Sequence, residues 1–358
     1  MKLKQILNSI RIKHLLRINN HINKNKKFLF KNYYKKLIIK ELLKIFGYSK
    51  FFLSMICNIF DLQEIYEFLT SNEKKRPLSI RINSLKKNSI ETVNLIVRKG
   101  IKLCRFNHFN DLAFICLNSS ISLGSTTEYL CGYYTLQSIS SLLPVISLDP
   151  TTNEKILDLA AAPGNKSTLI SQFMRNNGIL ISNDIKKLRI KSLVNSIHRL
   201  NVDNSIIANY DGILIPFIMK GFHRVLLDAP CSGSGLVSHD PLIKKINKHI
   251  VILNSNLQKR LLIAAIDACN GISPMGNIIV YSTCSISVEE NECVIQYVLS
   301  KRNVEIISTG IDFGLPGLTT YKNIRFDESM KKCKRFYPHV HNVDGFFICK
   351  LRKKNIKL

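Results

Sequence analysis

Asp228-Ala229-Pro230-Cys231 and Ser282-Thr283-Cys284-Ser285 each follow an apolar run, and both lie downstream of a loop reading Asp158-Leu159-Ala160-Ala161-Ala162-Pro163-Gly164-Asn165-Lys166. A thiolate is a strong, soft nucleophile. The inert C5 of a cytosine ring is methylated only after a nucleophile has added at C6, so two cysteines beside a cofactor loop point to pyrimidine C5 chemistry. Free cysteines elsewhere in a chain are usually inert core fillers, and the remaining eight (57, 104, 116, 131, 269, 293, 333 and 349) are assigned that role.

The loop itself is built to turn. Gly164 and Asn165 both tolerate left-handed backbone angles, which predicts a sharp turn that presents amides to a ligand before a helix starts near Ser167. Lys166-Ser167 has the ending of a phosphate-binding loop, but Ala160 and Asn165 stand where that motif needs glycine, and no G-x-G-x-x-G is present. Acids follow four successive candidate strands: Asp158, Asp184, Asp211 and Asp228. In sheets of this class such an acid accepts hydrogen bonds from ribose hydroxyls, as expected of Asp184, while Asp211 is placed to bind an exocyclic amine. Together the four point to an adenosine-containing cofactor.

The elements that must position these residues alternate. Strands are predicted at 156–159, 178–182, 205–208, 225–227 and 277–282, and helices at 167–176, 186–200, 257–270 and 289–301. This rhythm predicts an α/β fold, a doubly wound and mainly parallel sheet with helices on both faces, over residues 149–354. Ligands of such sheets bind at the carboxyl ends of the strands, where every motif above falls. Ser287-Val288-Glu289-Glu290 reads as a helix capping box, which accounts for those acids without catalysis. Residues 51–148 read as a smaller α+β domain with a helix over 51–69, a strand over 77–83, a helix over 90–99 and a connecting helix over 136–148.

Length, 358 residues, allows two domains with cores of their own, and an apolar content of 46% fits a globular chain. Fifty-two Lys and Arg against 25 Asp and Glu give a formal charge of +27, expected of a chain that meets a polyphosphate, nucleic acid before membrane. About half of that excess sits in a basic N-terminal arm, residues 1–50, with fourteen Lys or Arg and the single acid Glu41. The arm fits a phosphate-tracking segment, a nuclear address, a partly ordered tail or an amphipathic transit peptide. Cysteine spacing without a C-x-x-C pair argues against a zinc site and against a secreted disulfide framework, so no metal and a reducing compartment are expected. No uncharged run reaches the roughly 18 residues of a membrane span, and a soluble, intracellular protein is expected.

Asp228-Ala229-Pro230-Cys231-Ser232-Gly233-Ser234-Gly235 resembles motif IV, Thr283-Cys284-Ser285 motif VI and residues 158–166 motif I of the RsmB/NSUN superfamily of RNA cytosine-C5 methyltransferases. Stretches 76–86, 124–130, 137–141, 335–339 and 344–347 are similar to the branch that acts on large-subunit ribosomal RNA, and the likeness runs from about residue 51 to residue 351. Motif I departs from the usual Cys-Ala-Ala-Pro-Gly-Gly-Lys at Ala160 and Asn165.

The resemblance implies a Rossmann-like, S-adenosylmethionine-dependent methyltransferase domain preceded by an α+β RNA-binding domain. It implies Cys284 as the nucleophile on C6, Asp228 at the cytosine edge, Cys231 in the release step and Lys166 in the same pocket. Ala160, Ala161, Ala162, Pro163, Gly164, Asn165, Lys166, Asp184, Asp211 and Asp228 are then the cofactor-binding set. Precursor large-subunit ribosomal RNA and pre-ribosomal proteins are the implied partners, in the nucleus and nucleolus. Two other readings stay open: a DNA cytosine-C5 methyltransferase, in which the Pro-Cys cysteine is the nucleophile, and a ribosome assembly factor for which methylation is incidental. A charge of this size predicts RNA affinity that falls steeply as log affinity against log salt; a flat line in a filter-binding titration would remove the phosphate-tracking role.

Overall fold

The computed structural model describes residues 28–269 and 277–354, together with Leu15 and Arg17. The first half of the basic arm lies outside these residues, as does the predicted helix end at Asn270. Its second half is a packed helix, α1 (Phe28–Phe46), whose Ile38 and Leu42 are buried. The single helix expected over 51–69 is two, α2 (Lys50–Ile56) and α3 (Leu62–Asn72). The break has a local cause: Asp61 is extended, and its carboxylate caps α3 by accepting from the Glu64 N–H. These three helices share one core, and Val237, Ile286 and Tyr337 of the larger domain enter it.

The small domain holds β1 (Ser79–Ile82), α4 (Ser89–Arg98), β2 (Lys102–Arg105), β3 (Ala113–Asn118) and β4 (Tyr134–Leu136), an antiparallel sheet in the order β2-β3-β1-β4. The larger domain follows as α5 (Ile139–Leu148), β5 (Lys155–Asp158), α6 (Asn165–Met174), β6 (Ile179–Asn183), α7 (Lys187–Arg199), β7 (Ser205–Ala208), β8 (Arg224–Asp228), α8 (Lys248–Ala268), β9 (Ile278–Thr283) and α9 (Glu292–Leu299). It closes with β10 (Val304–Ile307), β11 (Leu315–Pro316), the hairpin β12 (Thr320–Tyr321) and β13 (Ile324–Arg325), then β14 (Lys334–Phe336) and β15 (Phe346–Lys353). The small sheet leans on α6 and α7: Gln172 donates to the Ile82 carbonyl at 3.1 Å, and Asn83 to the Leu200 carbonyl at 2.9 Å.

Nine strands form the large sheet, in the order β7-β6-β5-β8-β9-β15, with β10 and β14 sharing the outer edge of β15 and β11 beyond β14. Pairing is parallel from β7 to β9 and antiparallel at β15. Both faces are covered, so strand residues divide by parity. Val225, Leu227, Ile279, Tyr281, Phe347 and Cys349 pack with α8 and α9, while Leu226, Ile278, Val280, Phe346 and Ile348 pack with α5 and α6. This is the doubly wound, Rossmann-like sheet expected, and strand order reverses between β5 and β8, where such sheets open a crevice.

Two features of the larger domain also differ from the expectation. The antiparallel end, β10 to β15, escapes the strand and helix rhythm because only short helical turns, at Glu328–Lys332 and Pro338–His341, interrupt its strands. Helix α8 starts at Lys248, nine residues early, because Asn247 caps it by accepting from the Ile250 N–H while its first turns carry few core residues. Among the described residues, no helix is long and apolar enough to cross a membrane.

One ion pair ties the antiparallel end to the parallel body. Arg335 on β14 and Glu292 at the start of α9 are both essentially unexposed and meet at 2.6 Å. Removing one partner strands the other charge in the core, so Arg335→Met is expected to cost about 3–5 kcal/mol in urea denaturation. A loss under about 1 kcal/mol would show that the pair contributes little to holding β14.

Candidate active site

The reversal between β5 and β8 brings three strand ends together. Asp158 ends β5, Asp228 ends β8, and Cys284 follows the last residue of β9. Cys231 sits three residues beyond β8, and its Sγ lies 3.1 Å from that of Cys284, with both thiols free. Lys166, in the first turn of α6, reaches across to Asp228 with Nζ 2.8 Å from Oδ2, and also donates to Ser141 Oγ at 3.0 Å. The other oxygen of Asp228 accepts from Ser282 Oγ at 2.7 Å. Four predicted catalytic residues, Lys166, Asp228, Cys231 and Cys284, thus meet at the carboxyl edge of the sheet.

Protonation follows from this packing. The Cys231 thiol is pushed well above the usual cysteine range, first by its hydrogen bond with Cys284, then by burial and by Glu290. It remains a thiol in hydrogen-bond reach of the Cys284 sulfur. Asp158 is fully buried and pushed up to about 7, chiefly by burial; the bond from Ser167 Oγ at 2.7 Å opposes the shift, and nearby Asp228 adds to it. Its Oδ1 has no protein donor.

The loop after β5 curls back on itself. Gly164 has φ of +106° and takes the left-handed turn; Asn165 is already the first residue of α6, so the helix starts two residues ahead of the expected Ser167. A Cβ at Gly164 would press on Leu193 and Ser196 of α7 at 3.0 Å, which leaves the turn to glycine. Ala161 donates its N–H to the Asn183 carbonyl at 2.7 Å, and Pro163 offers its carbonyl to Ser196 Oγ at 2.8 Å. Ala160 stands half-buried at the start of the curl.

The acids on the rim differ in how far they are engaged. Asp184 is buried and accepts from the Ala162 N–H at 3.2 Å and the Lys186 N–H at 2.9 Å, while Arg189 pairs with it at 3.6 Å and donates to the Ala162 carbonyl. Asp211 caps a short turn by accepting from the Ile213 N–H at 3.0 Å and stays half-exposed. Neighbouring Asn183, fully buried, donates to the carbonyls of Leu159 and Tyr210 and so fastens the ends of β5, β6 and β7 to one another. No spacing rule singles it out in the sequence. An adenosine sulfonium, with its hydroxyls, ammonium and positive sulfur, fits this acceptor-rich edge, and the orphan Asp158 Oδ1 is a buried acceptor suited to such a donor.

The expected capping box is absent. Helix α9 begins at Glu292, and Glu290 lies in the preceding turn, fully buried and bonded to Ser232 and Ser285. Sequence reasoning also missed Ser141 and Ser282, which hold Lys166 and Asp228; small hydroxyls carry no spacing signal. Among the described residues no cluster of His, Cys, Asp or Glu is arranged to hold a metal ion.

Two thiols at the ends of adjacent strands, beside a Lys–Asp pair, are the arrangement that motifs IV and VI lead one to expect, and residues 145–352 match the family described as 16S rRNA methyltransferase RsmB/F. The chain belongs to this family. It is 45% identical over 316 residues to a mouse 28S rRNA (cytosine-C(5))-methyltransferase, covering 88% of this chain and 40% of the relative. It is 44% identical over 325 residues to the fission yeast 25S rRNA (cytosine-C(5))-methyltransferase, covering 90% and 53%. The chain therefore spans about half or less of these curated relatives. A methyltransferase homologue from Pyrococcus horikoshii superposes with a TM-score of 0.79 at 33% identity, covering 88% of this chain and 98% of that one.

Asp158 gives the RsmB/F site a pH signature. Its carboxyl takes up a proton more readily folded than unfolded, so its contribution is greatest below about 4 and is lost as pH rises towards about 7. Asp158→Asn is expected to flatten that decline in thermal unfolding measured across the window. An unchanged slope would place the titration elsewhere.

Proposed function

We propose that the protein is an S-adenosylmethionine-dependent RNA cytosine-C5 methyltransferase that modifies large-subunit ribosomal RNA through a covalent adduct at Cys284. The observation that carries this reading is the Cys231–Cys284 sulfur contact beside the Lys166–Asp228 pair. The names of the mouse and fission yeast relatives support large-subunit ribosomal RNA as the substrate class. Large-subunit biogenesis in the nucleus and nucleolus, alongside pre-ribosomal proteins, completes the proposal.

The cofactor, when bound, supplies an electrophilic methyl group on a positive sulfur. Asp158, Asp184, Asp211 and the loop 160–166 are the residues that would hold it. A cytosine must leave its stack to reach the sulfurs, so the substrate is a single-stranded or flipped base. Cys284 adds to C6: the sulfur pair forms the S–C6 bond, and the C5–C6 π pair moves to C5. Asp228, oriented by Lys166 and Ser282, faces the pyrimidine edge and relays a proton from water to N3 as the adduct forms, so negative charge does not accumulate on the ring. The same proton returns to water by that route when C5=C6 is restored. C5 then accepts the methyl group.

Release is an elimination. Cys231 passes its proton to the Cys284 sulfur as the C6–S bond breaks, and its own sulfur takes the C5 proton while that electron pair restores C5=C6. The products are 5-methylcytosine and two thiols, and Cys284 then loses its proton to water. A raised Cys231 pKa suits this exchange, because the group starts protonated and its thiolate is a strong base.

In cells, bisulfite sequencing of large-subunit ribosomal RNA should show one cytosine that loses its mark with Cys284→Ala or with no protein. In vitro, Cys231→Ala should accumulate a denaturant-stable RNA–protein complex and Cys284→Ala should form none. The opposite pattern would make Cys231 the nucleophile and overturn the assignment.

A further inference from the structure

Glu290 is the one acid of the site to which the chemistry above gives no task, yet it touches both cysteine loops. Its Oε1 accepts from the Ser232 N–H at 2.8 Å and from Gln258 Nε2 at 3.4 Å, while Oε2 meets Ser232 Oγ and Ser285 Oγ, each at 2.6 Å. Ser232 is the residue after Cys231, and Ser285 is the residue after Cys284. One side chain therefore fixes the immediate neighbours of both sulfurs. Ser234 Oγ lies 2.8 Å from Ser285 Oγ and accepts from the Ile286 N–H at 3.0 Å, and Gly235 donates its N–H to the Cys284 carbonyl at 2.9 Å. The lacing closes on a glycine contact: a Cβ at Gly235 would run into the backbone of Gly345.

From this geometry we infer that Glu290 is a positioning residue, which sets the separation of the Cys231 and Cys284 sulfurs and through it the rate at which the covalent RNA adduct is resolved. The inference rests on the function proposed above. Addition to C6 needs only the Cys284 sulfur, whereas resolution needs proton exchange between both sulfurs, and proton transfer falls off sharply once donor and acceptor leave hydrogen-bond reach. A loosened clamp thus slows the second step more than the first. Burial raises the Glu290 carboxyl, against the opposing bonds from Ser232 and Ser285, and favours its neutral form. A glutamine can reproduce these bonds, since its carbonyl accepts from the Ser232 N–H and its amide donates to the two hydroxyls.

The test compares wild type with Glu290→Ala, Glu290→Gln and Ser232→Ala, the last retaining a filled interior should Glu290→Ala fold poorly. With a large-subunit ribosomal RNA transcript and S-adenosylmethionine, Glu290→Ala and Ser232→Ala are expected to form the denaturant-stable complex at near wild-type rate. Their release should be slower by roughly 10- to 100-fold, the scale of an ångström misplacement, and Glu290→Gln should recover most of it. Independently of any RNA, diamide should close the Cys231–Cys284 disulfide faster in wild type and Glu290→Gln than in Glu290→Ala. Equal loss of complex formation and release, or unchanged disulfide closure, would overturn the clamp. Absence of any complex with the wild type, with the disulfide ranking intact, would instead sink the proposed function.

Discussion

Everything at the carboxyl edge of the sheet depends on holding two sulfurs in contact, although they are carried by loops 53 residues apart in the chain. Neither loop is regular structure, so neither can hold its cysteine by backbone hydrogen bonding alone. Parallel pairing of β8 and β9 sets the coarse separation, with Asp228 opposite Ser282. Buried hydrogen bonds and a pair of touching glycines then set the fine one. Such a network is effective because its members are nearly all satisfied; a half-satisfied one would be worse than an apolar core.

The same edge shows how burial divides labour among similar groups. Asp158 and Asp228 end neighbouring strands, but Asp158 is enclosed and favours its proton, while Asp228 is half-exposed and engaged by Lys166 and Ser282. The Cys231 thiol is likewise kept protonated, first by its bond with the Cys284 sulfur and then by burial. Placing groups of one kind in unequal surroundings is how a single pocket assembles both proton donors and nucleophiles. The helical layer contributes to that enclosure, since Val237 and Ile286, from the loops beyond each cysteine, are buried among the side chains of α1 to α3.

Much of the arrangement is legible in the residue order. Apolar runs of strand length alternating with helical patterns give β5 to β9 and their helices within a few residues, the start of α8 excepted, because period and length are local properties. The cysteine motifs, the loop 158–166 and the acids at strand ends are equally local, and the topology of a doubly wound sheet carries them all to one edge. The antiparallel closure from β10 to β15 is not legible in this way, since its strands other than β15 are only two to four residues long and form only against partners already in place. Local patterns also mislead: Ser287 and Glu290 have the spacing of a capping box, but the chain turns once more before α9 begins.

By itself, then, the sequence determined which chemical groups are present, the class of sheet that carries them and the strand ends at which they fall, because all three follow from residue type and short-range period. Tertiary structure alone decided that Glu290 joins both cysteine loops, that Asn183 fastens three strand ends, that Asp184 accepts from the loop after β5 at Ala162 and that Asp158 is sealed from water. Each of these depends on contacts between segments distant in the chain. Hydrogen-bond geometry and desolvation act over a few ångströms in space, and no spacing along the sequence records them.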